Sequence, residues 1–483
     1  MDPILILLLV APFLGAVVCG LLPRGQKAAA IGFAAATAAL AIGAVLHSYG
    51  SALEQRVGTL PWLPGTLGTL PMFGFLVDPL SSLVLLLVAV LGLAVVMFST
   101  EYVSGNNAEQ PYQGGDNRYY FWLLTCLGSM IGLVLSPNLL QMFIFWEMTT
   151  VCSWAMISHA HTEVTQRAGM KALILKHIGG LGFLLALCLL FAGADSFEFG
   201  GLARLSTGLG LTVFLLLLVA AWAKAAQFPF HTWLPDSMAA PTPVNAFLDA
   251  AALVNASILL LARVLASSWA VPNSAAVVMA AMAMVSIFMA IMNYFRQDDL
   301  KRLLAYSTIA HLGYMFIGLA LGAWGSTIGF RGGLLHILCH GVAKCTLFLA
   351  VGAIAYGAGT HRISQLRGLA RKMPLETAAF MVGALAVTGV PPFATFYSKF
   401  MIFSGALESS AGAPLLVLLV VESVVSFGWL MWIAHRVFLG APSEVAEAAA
   451  DAPPWMSVAL VIGMLLCLAA PYLGMPLVQM VTP

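Results

Sequence analysis

Apolar runs of about twenty residues follow one another from Pro3 almost to the last residue, and each is long enough to cross a lipid bilayer as a helix. One such run would anchor a soluble domain. A series of them leaves no stretch from which a soluble domain could be made. By length alone, 483 residues would form about three soluble domains. The composition excludes this, since 61% of the residues are hydrophobic and only 8% charged, against roughly 25% charged in soluble chains. With 21 Lys and Arg against 20 Asp and Glu, no charged face could coat so large an apolar core, and no nucleic-acid surface is indicated. The chain reads as an all-α polytopic membrane protein. Backbone groups inside lipid must be satisfied within their own segment, and helices of this length do so.

The seven cysteines are scattered through apolar stretches without a CxxC pair, so neither a disulfide framework nor a metal or iron–sulfur site is expected. No phosphate-binding loop and no GxGxxG after a strand is present, and no cofactor is expected. The first run, PILILLLVAPFLGAVVCGLL, lacks a basic leader and a clean cleavage site and reads as a retained span. Parsing gives about fourteen spans, centred near residues 12, 38, 87, 127, 148, 182, 218, 255, 286, 313, 343, 385, 427 and 466. The longest polar loops are 50–74, 101–118, 356–373 and 441–454.

Cytoplasmic loops of membrane proteins are enriched in Lys and Arg. With the N-terminus outside, the inner loops hold twelve: Arg24, Lys27, Arg118, Arg167, Arg296, Lys301, Arg302, Arg362, Arg367, Arg371, Lys372 and Arg436. The outer loops hold three, Arg56, Arg204 and Arg331. The asymmetry predicts a cell (inner or plasma) membrane protein with both termini outside. Arg263, near a helix end, and Lys171 and Lys176, early in their span, are expected to snorkel to the interface.

Lys224, Lys344 and Lys399 cannot be explained that way. A charge at the bilayer centre costs roughly 2.5–3.5 kcal/mol on insertion scales, so such residues usually face a partner or water. Glu147 lies ten residues beyond Pro137, in MFIFWEMTT, without a local counter-charge. Lys224 ends LTVFLLLLVAAWAK, five residues before Pro229, where a helix break is expected. His336, His340 and Lys344 recur every four residues and share one helical stripe. Lys399 follows a second expected break at Gly389–Pro392, while Asp249 lies between Pro243 and Asn255 and Glu422 in LLVLLVVESVVSF. Singly, each has a plainer reading: a Lys–Glu pair that serves assembly, a hydrogen-bonded packing His, a structural kink. Together they suggest a hydrated polar line through the bilayer, carrying protons or cations without covalent catalysis. A lysine among apolar helices trades its proton more readily, and imidazoles titrate near neutral pH.

Ordered motifs carry a resemblance. KAAQFPFHTWLPDSMAAPTPVNAFLDAAALVNA, from Lys224, resembles the seventh and eighth helices of the antiporter-like subunits of respiratory complex I and its relatives. Those relatives include Mrp-type Na⁺/H⁺ antiporters, membrane-bound hydrogenases and membrane partners of inorganic-carbon uptake systems. DPLSSL, FIFWEMTTVCSW, DDLKRLLAYSTIAHLGYM and HILCHGVAKCTLFL with GVPPFATFYSKF match in order, over about residues 70–405. The resemblance implies fourteen helices: 1–100 as helices one to three, inverted five-helix repeats at 119–268 and 275–440, each with one broken helix, and a last helix at 455–475. By motif position it makes Glu147 and Lys224 a switchable pair, His336, His340 and Lys344 the central connection, and Lys399 the outlet. Lys171, His177, His311 and Glu422 are auxiliary candidates. The chain departs from the family where relatives carry His and this sequence has Asp249, where Mrp-type large subunits often have Lys and it has Asn255, and where AYSTISQ becomes AYSTIAH with His311. Asp249 is expected to offer Lys224 a second partner besides Glu147.

The implied activity is proton translocation, with exchange for Na⁺ left open, in a subunit without its own redox centre. The implied partners are other membrane subunits of a hetero-oligomeric complex, with a soluble redox or carbon-hydrating module among the alternatives. The chain ends near residue 483 without the lateral helix of the distal complex I subunit or the extra domain of the large Mrp subunit. That favours a smaller assembly of the hydrogenase, Mrp or carbon-uptake type. A self-sufficient antiporter is the remaining alternative.

Overall fold

The computed structural model describes residues 2–22, 24–50, 52–57, 72–112, 114–267, 269, 271–409 and 412–482. Within the polar loop 50–74, residues 58–71 lie outside this set. Helices α1 (Pro3–Leu21), α2 (Gln26–His47), α3 (Pro79–Tyr102), α4 (Asp116–Val134), α5 (Leu139–Ile157), α6 (Glu163–Ala194) and α7 (Thr207–Lys224) form the first half. The chain then breaks into short pieces, α8 (Trp233–Asp236) and α9 (Thr242–Asn245), a π-helical stretch Ala246–Ala251, and α10 (Leu253–Leu265). Helices α11 (Asn273–Tyr294), α12 (Leu300–Ala323) and α13 (Thr327–Ala358) follow. A second broken pair, α14 (Pro374–Thr388) and α15 (Ala394–Glu408), precedes α16 (Gly412–Phe438), α17 (Glu444–Glu447) and α18 (Pro454–Gln479).

Local chemistry sets these boundaries. Asp2 and Asp78 each precede a proline at the first helical turn and cap it, accepting from the backbone N–H of Ile4 and Ser81. Asn138, Thr162, Asp299 and Ser326 cap α5, α6, α12 and α13 in the same way. Gly389 stops α14 at φ +89°, a left-handed conformation that suits glycine. Among the described residues, β1 (Leu53–Val57) pairs antiparallel with β2 (Phe73–Val77), with Gln55 opposite Phe75.

Among the described residues, twelve helical segments are long and apolar enough to cross a membrane. The sequence-derived centres near 127 and 385 fall on α4 and α14, which are outside those twelve. The membrane-crossing stretches of α12 and α13 are fully buried, and α13 packs against α3, α12, α14, α15, α18 and the π-helical stretch. At 1.5 Å per residue its 32 residues span about 48 Å. The outer helices present apolar side chains outward, among them Leu7, Leu46, Ile174, Leu181, Val417 and Leu465. The buried interior therefore lies along α12 and α13, where the titratable stripe sits.

Candidate functional site

Glu147 occupies the middle of α5. Successive residues of a helix are about 100° apart, so Glu147 and its neighbours Trp146 and Thr149 face different ways. The Glu147 carboxylate meets His177 of α6, Oε2 to Nδ1 at 3.0 Å, on a flank where His177 is 57% exposed. Gly180 makes this approach possible, because a Cβ there would overlap Glu147 Oε1.

Lys224, fully buried at the end of α7, donates to the Trp146 carbonyl (2.8 Å) and to Thr149 Oγ1 (2.6 Å), with Nζ 4.1 Å from the Trp146 ring centre. Among the described residues Glu147 and Lys224 form no ion pair within 4 Å. The carboxylate has taken an imidazole and the ammonium a carbonyl and a hydroxyl on another side of α5.

The snorkelling expectation for Lys176 and Arg263 is overturned. Lys176 is fully buried, donates to Ser153 Oγ and lies 4.4 Å over the Trp233 ring. Arg263 is drawn inward by Asp78, which it engages as an ion pair, and by Ser81. Lys171, by contrast, is 40% exposed and pairs with Asp236 at 2.7 Å.

In the second half, His336, His340 and Lys344 do share one face of α13, all fully buried. His311 of α12 joins them, with Nδ1 3.0 Å from His336 Nε2 and its ring stacked on His340 at 5.1 Å. His336 Nδ1 meets Ser398 Oγ at 2.8 Å, and Lys344 donates to the Leu304 carbonyl at 2.9 Å. His336 and Lys344 therefore have polar partners, whereas among the described residues neither ring nitrogen of His340 has a hydrogen-bond partner and its contacts are the stacked rings of His311 and His336. Lys399 of α15 lies 3.7 Å from Glu422 of α16 and donates to Ser423 Oγ and to the Thr388 carbonyl, which the helix break leaves free. Tyr314 and Tyr294 donate to the two oxygens of Glu422, at 2.6 and 3.0 Å.

Asp249 sits in the π-helical stretch, 1% exposed, and its Oδ2 has no hydrogen-bond partner. Among the described residues no ion pair within 4 Å joins Asp249 to Lys224, whose ammonium is held by the Trp146 carbonyl and Thr149. Nor do Asn245 or Asn255 bond to Asp249. Their amides donate to the Ala240 and Ala250 carbonyls.

One end of the bundle opens into a cavity of about 460 Å³ lined by Arg167, Lys171, Asp236, Lys301 and Arg302 together with Glu109, Asp299 and His361. His361 bridges two carboxylates, Nδ1 to Glu109 Oε1 at 2.6 Å and Nε2 to Asp299 Oδ2 at 3.0 Å. Burial alone would lower the pKa of His361, but hydrogen bonds to Asp299 and Glu109 outweigh it and push it up to about 9. Burial likewise works against the Glu109 carboxylate, yet Lys301 and His361 hold it down to about 2. Lys171, on the cavity wall, stands five residues before the buried Lys176 on α6. Among the described residues no cluster of His, Cys, Asp or Glu is disposed to hold a metal ion.

Sequence reasoning missed Lys176, Ser153, Ser398, Tyr294 and Tyr314. Lys176 had a signal, being a lysine inside an apolar run like Lys224. The hydroxyls had none, because Ser and Tyr are common in helices and only packing brings these to charged groups.

Two family models match the chain: "NADH:quinone oxidoreductase/Mrp antiporter, TM" over residues 136–426 and "NADH-Ubiquinone oxidoreductase (complex I), chain 5 N-terminus" over residues 62–112. A component of a probable K⁺/H⁺ antiporter of Rhizobium meliloti is 33% identical over 97% of this chain and 47% of its own length. The solved Mrp complex of Dietzia sp. contains a chain of similar fold, with TM-score 0.83 and 28% identity over 96% of this chain and 50% of that one. A chain of an archaeal membrane-bound sulfane sulfur reductase shares the fold at TM-score 0.84 and 23% identity, over 98% of this chain and 96% of that one. The chain spans about half the length of the curated relatives it matches.

Proposed function

The chain belongs to the NADH:quinone oxidoreductase/Mrp antiporter family of multi-pass membrane proteins, and on that premise we propose that it is an ion-translocating subunit that moves protons along its buried charged line. One observation carries this reading: Lys224, Lys344 and Lys399 are each buried on a separate helix, the first two ammonium groups resting on carbonyls and hydroxyls they can leave and the third adding the Glu422 carboxylate at 3.7 Å. Burying a charge is costly unless it is paired and hydrogen-bonded. Three buried lysines, only one of them within 4 Å of a carboxylate, are a poor device for holding helices together and a good one for exchanging protons.

Lys224 swings toward Glu147 when the site loads, in this reading. The stripe His336, His340 and Lys344, joined by His311, passes protons across the centre, and Lys399 with Glu422 is the outlet. The two halves form inverted repeats over 119–268 and 275–440, in a chain of fourteen crossings. The protein lies in the cell's inner or plasma membrane with both termini outside, which puts the cavity around Lys171 and Lys301 on the cytoplasmic side. It works beside other membrane subunits. Glu147 and His177 stand on an outer flank halfway along α5 and α6, where lipid is a poor neighbour for charge and a polar partner a better one. The name of the Rhizobium relative gives the second reading, exchange of an alkali cation for protons.

The test is ion flux in proteoliposomes holding the purified complex. Lys344→Met is expected to stop proton movement while leaving assembly intact. Equal flux with and without Na⁺ or K⁺ favours protons alone, and flux that requires the cation favours exchange. Unchanged proton movement in Lys344→Met overturns the proposal.

A further inference from the structure

We propose that the end of α16 and the connection between α13 and α14 form a binding site for one acidic phospholipid, its phosphate held by Arg367 and Arg436. The site lies apart from the buried charged line and is independent of which ion that line carries.

The sequence supplies the charge. Residues 359–373, which join α13 to α14, carry Arg362, Arg367, Arg371 and Lys372 and no Asp or Glu. The end of α16 and the turn after it, residues 427–443, carry His435 and Arg436 and again no acid. α13 and α16 are both long and apolar enough to cross the membrane, so these stretches stand where spanning helices leave the lipid. Basic pockets between helices at that level attract the phosphates of acidic lipids.

Local bonds turn the two stretches into one pocket. Ser443 donates its backbone N–H to the Arg367 carbonyl and its hydroxyl to the Gln365 carbonyl, both at 3.0 Å. The cavity beside this junction is about 470 Å³ and is lined by Arg367, Trp432, His435, Arg436 and Leu439. Gly440 completes the wall at φ +91°, and a Cβ there would stand 3.2 Å from Arg367 Nε, so glycine makes room for the guanidinium. The Arg436 guanidinium carbon lies 5.4 Å from the centre of the Trp432 ring. Stacking of that kind leaves the planar fork of N–H groups free to bond a phosphate. Among the described residues neither Arg367 nor Arg436 has a carboxylate within 4 Å. Ser364, also on the wall, is spent on Asp298 at 2.8 and 2.6 Å, which leaves the two arginines and His435 to meet a ligand. The cavity around Lys171 differs, because Glu109, Asp236 and Asp299 share its wall with the cations.

The surroundings select a lipid over a soluble phosphate. Val417, Val421, Val424 and Trp432 are exposed on α16 and share one face with His435 and Leu439. From Val424 to Arg436 is about 18 Å along the helix, roughly the depth of one leaflet. An acyl chain laid on this stripe therefore brings its phosphate to the arginines. Trp432 stacks on Trp429 at 4.6 Å, and Phe295 at the end of α11 meets Trp429 at 4.8 Å. Aromatic side chains of this kind gather at the level of lipid headgroups.

The test uses the purified whole complex, stripped of lipid in detergent. Added phosphatidylglycerol should raise its Tm, and phosphatidylcholine should not. Arg367→Gln with Arg436→Gln should bind phosphatidylglycerol at least about tenfold more weakly, since each arginine near the lipid surface adds to the affinity. Native mass spectrometry should then find one fewer acidic lipid for each copy of this chain. Arg367→Lys with Arg436→Lys, which keeps the charge, should retain most of the binding. Arg24→Gln with Arg204→Gln, an equal loss of charge elsewhere, should bind as the wild type does. An unchanged lipid count and Tm rise in the Arg367→Gln, Arg436→Gln complex would overturn the proposal. So would equal protection by inorganic phosphate alone. Loss of a neighbouring subunit from that complex, with its acidic-lipid count unchanged, would assign the pocket to a protein contact and overturn it as well.

Discussion

Replacing Glu422 by Gln removes one charge of the Lys399–Glu422 pair and almost none of its shape. Both side chains are buried, at 4% and 0% exposure, and the charged atoms stand 3.7 Å apart. At an effective dielectric near 20, unit charges at that separation attract by about 4 kcal/mol. Tyr294 and Tyr314 donate to the two carboxylate oxygens. In Gln, Tyr294 keeps the carbonyl as acceptor while Tyr314, which also meets the Leu419 carbonyl, accepts from the amide, so the frame survives with one bond reversed. What is lost is the charge that draws Lys399 to Glu422, leaving it with the Thr388 carbonyl and Ser423. Even a third of that attraction, about 1.4 kcal/mol, is a factor of ten in an equilibrium. Proton uptake by proteoliposomes holding the complex, followed with a pH-sensitive dye, should therefore fall at least about tenfold, with the amount of assembled complex unchanged. Glu422→Asp should recover part of the rate. Wild-type uptake by Glu422→Gln, in a complex shown to be assembled, would refute the argument that this pair gates the outlet.

Three further outcomes are expected. Gly180→Ala places a methyl where Glu147 Oε1 now sits, so the carboxylate must leave His177. Assembly should survive, because the clash is with the end of a flexible side chain, and flux should drop several-fold, which the same dye assay reads. His340→Ala should cost less flux than Lys344→Met, since His311 and His336 still touch each other when one imidazole is gone. The third outcome concerns stability. The pKa of His361 is raised from 6.5 to about 9, so its contribution is fully present below pH 6.5 and is lost as pH rises through about 9. A shift of that size corresponds to about 3 kcal/mol, an upper figure because the two carboxylates share the proton. Thermal unfolding in detergent should show Tm falling between pH 8 and 10 in the wild type, and a flatter profile in His361→Gln.

Much of the fold was legible because lipid imposes a coarse rule, a helix wherever about twenty apolar residues run together. The breaks after Lys224 and before Lys399 were readable from Pro229 and from Gly389 with two prolines behind it, residues that act locally. The individual charges were legible for the same reason, since Glu147, Lys224, Lys344 and Lys399 stand out on apolar spans. Their partners were not. Which way Lys224 turns depends on the rotation of α7 against α5, and the nearest offers proved to be the Trp146 carbonyl and Thr149 rather than Glu147. Lys176 misled by position: five residues after Lys171 it looked free to reach the interface, but α6 begins far enough out that only Lys171 does so. Asp249 was visible as a misplaced carboxylate, yet its neighbours depend on a π-helical turn, for which AFLDAA carries no readable signal.

The most direct test of the central claim is proton movement by the assembled complex with Lys224→Ala beside the wild type. The Lys224 ammonium makes no ion pair within 4 Å among the described residues, so its removal breaks no salt bridge that assembly could depend on. The account predicts a complex that assembles at wild-type yield and moves few or no protons. A Lys224→Ala complex that acidifies or alkalinises its vesicles at the wild-type rate would contradict it.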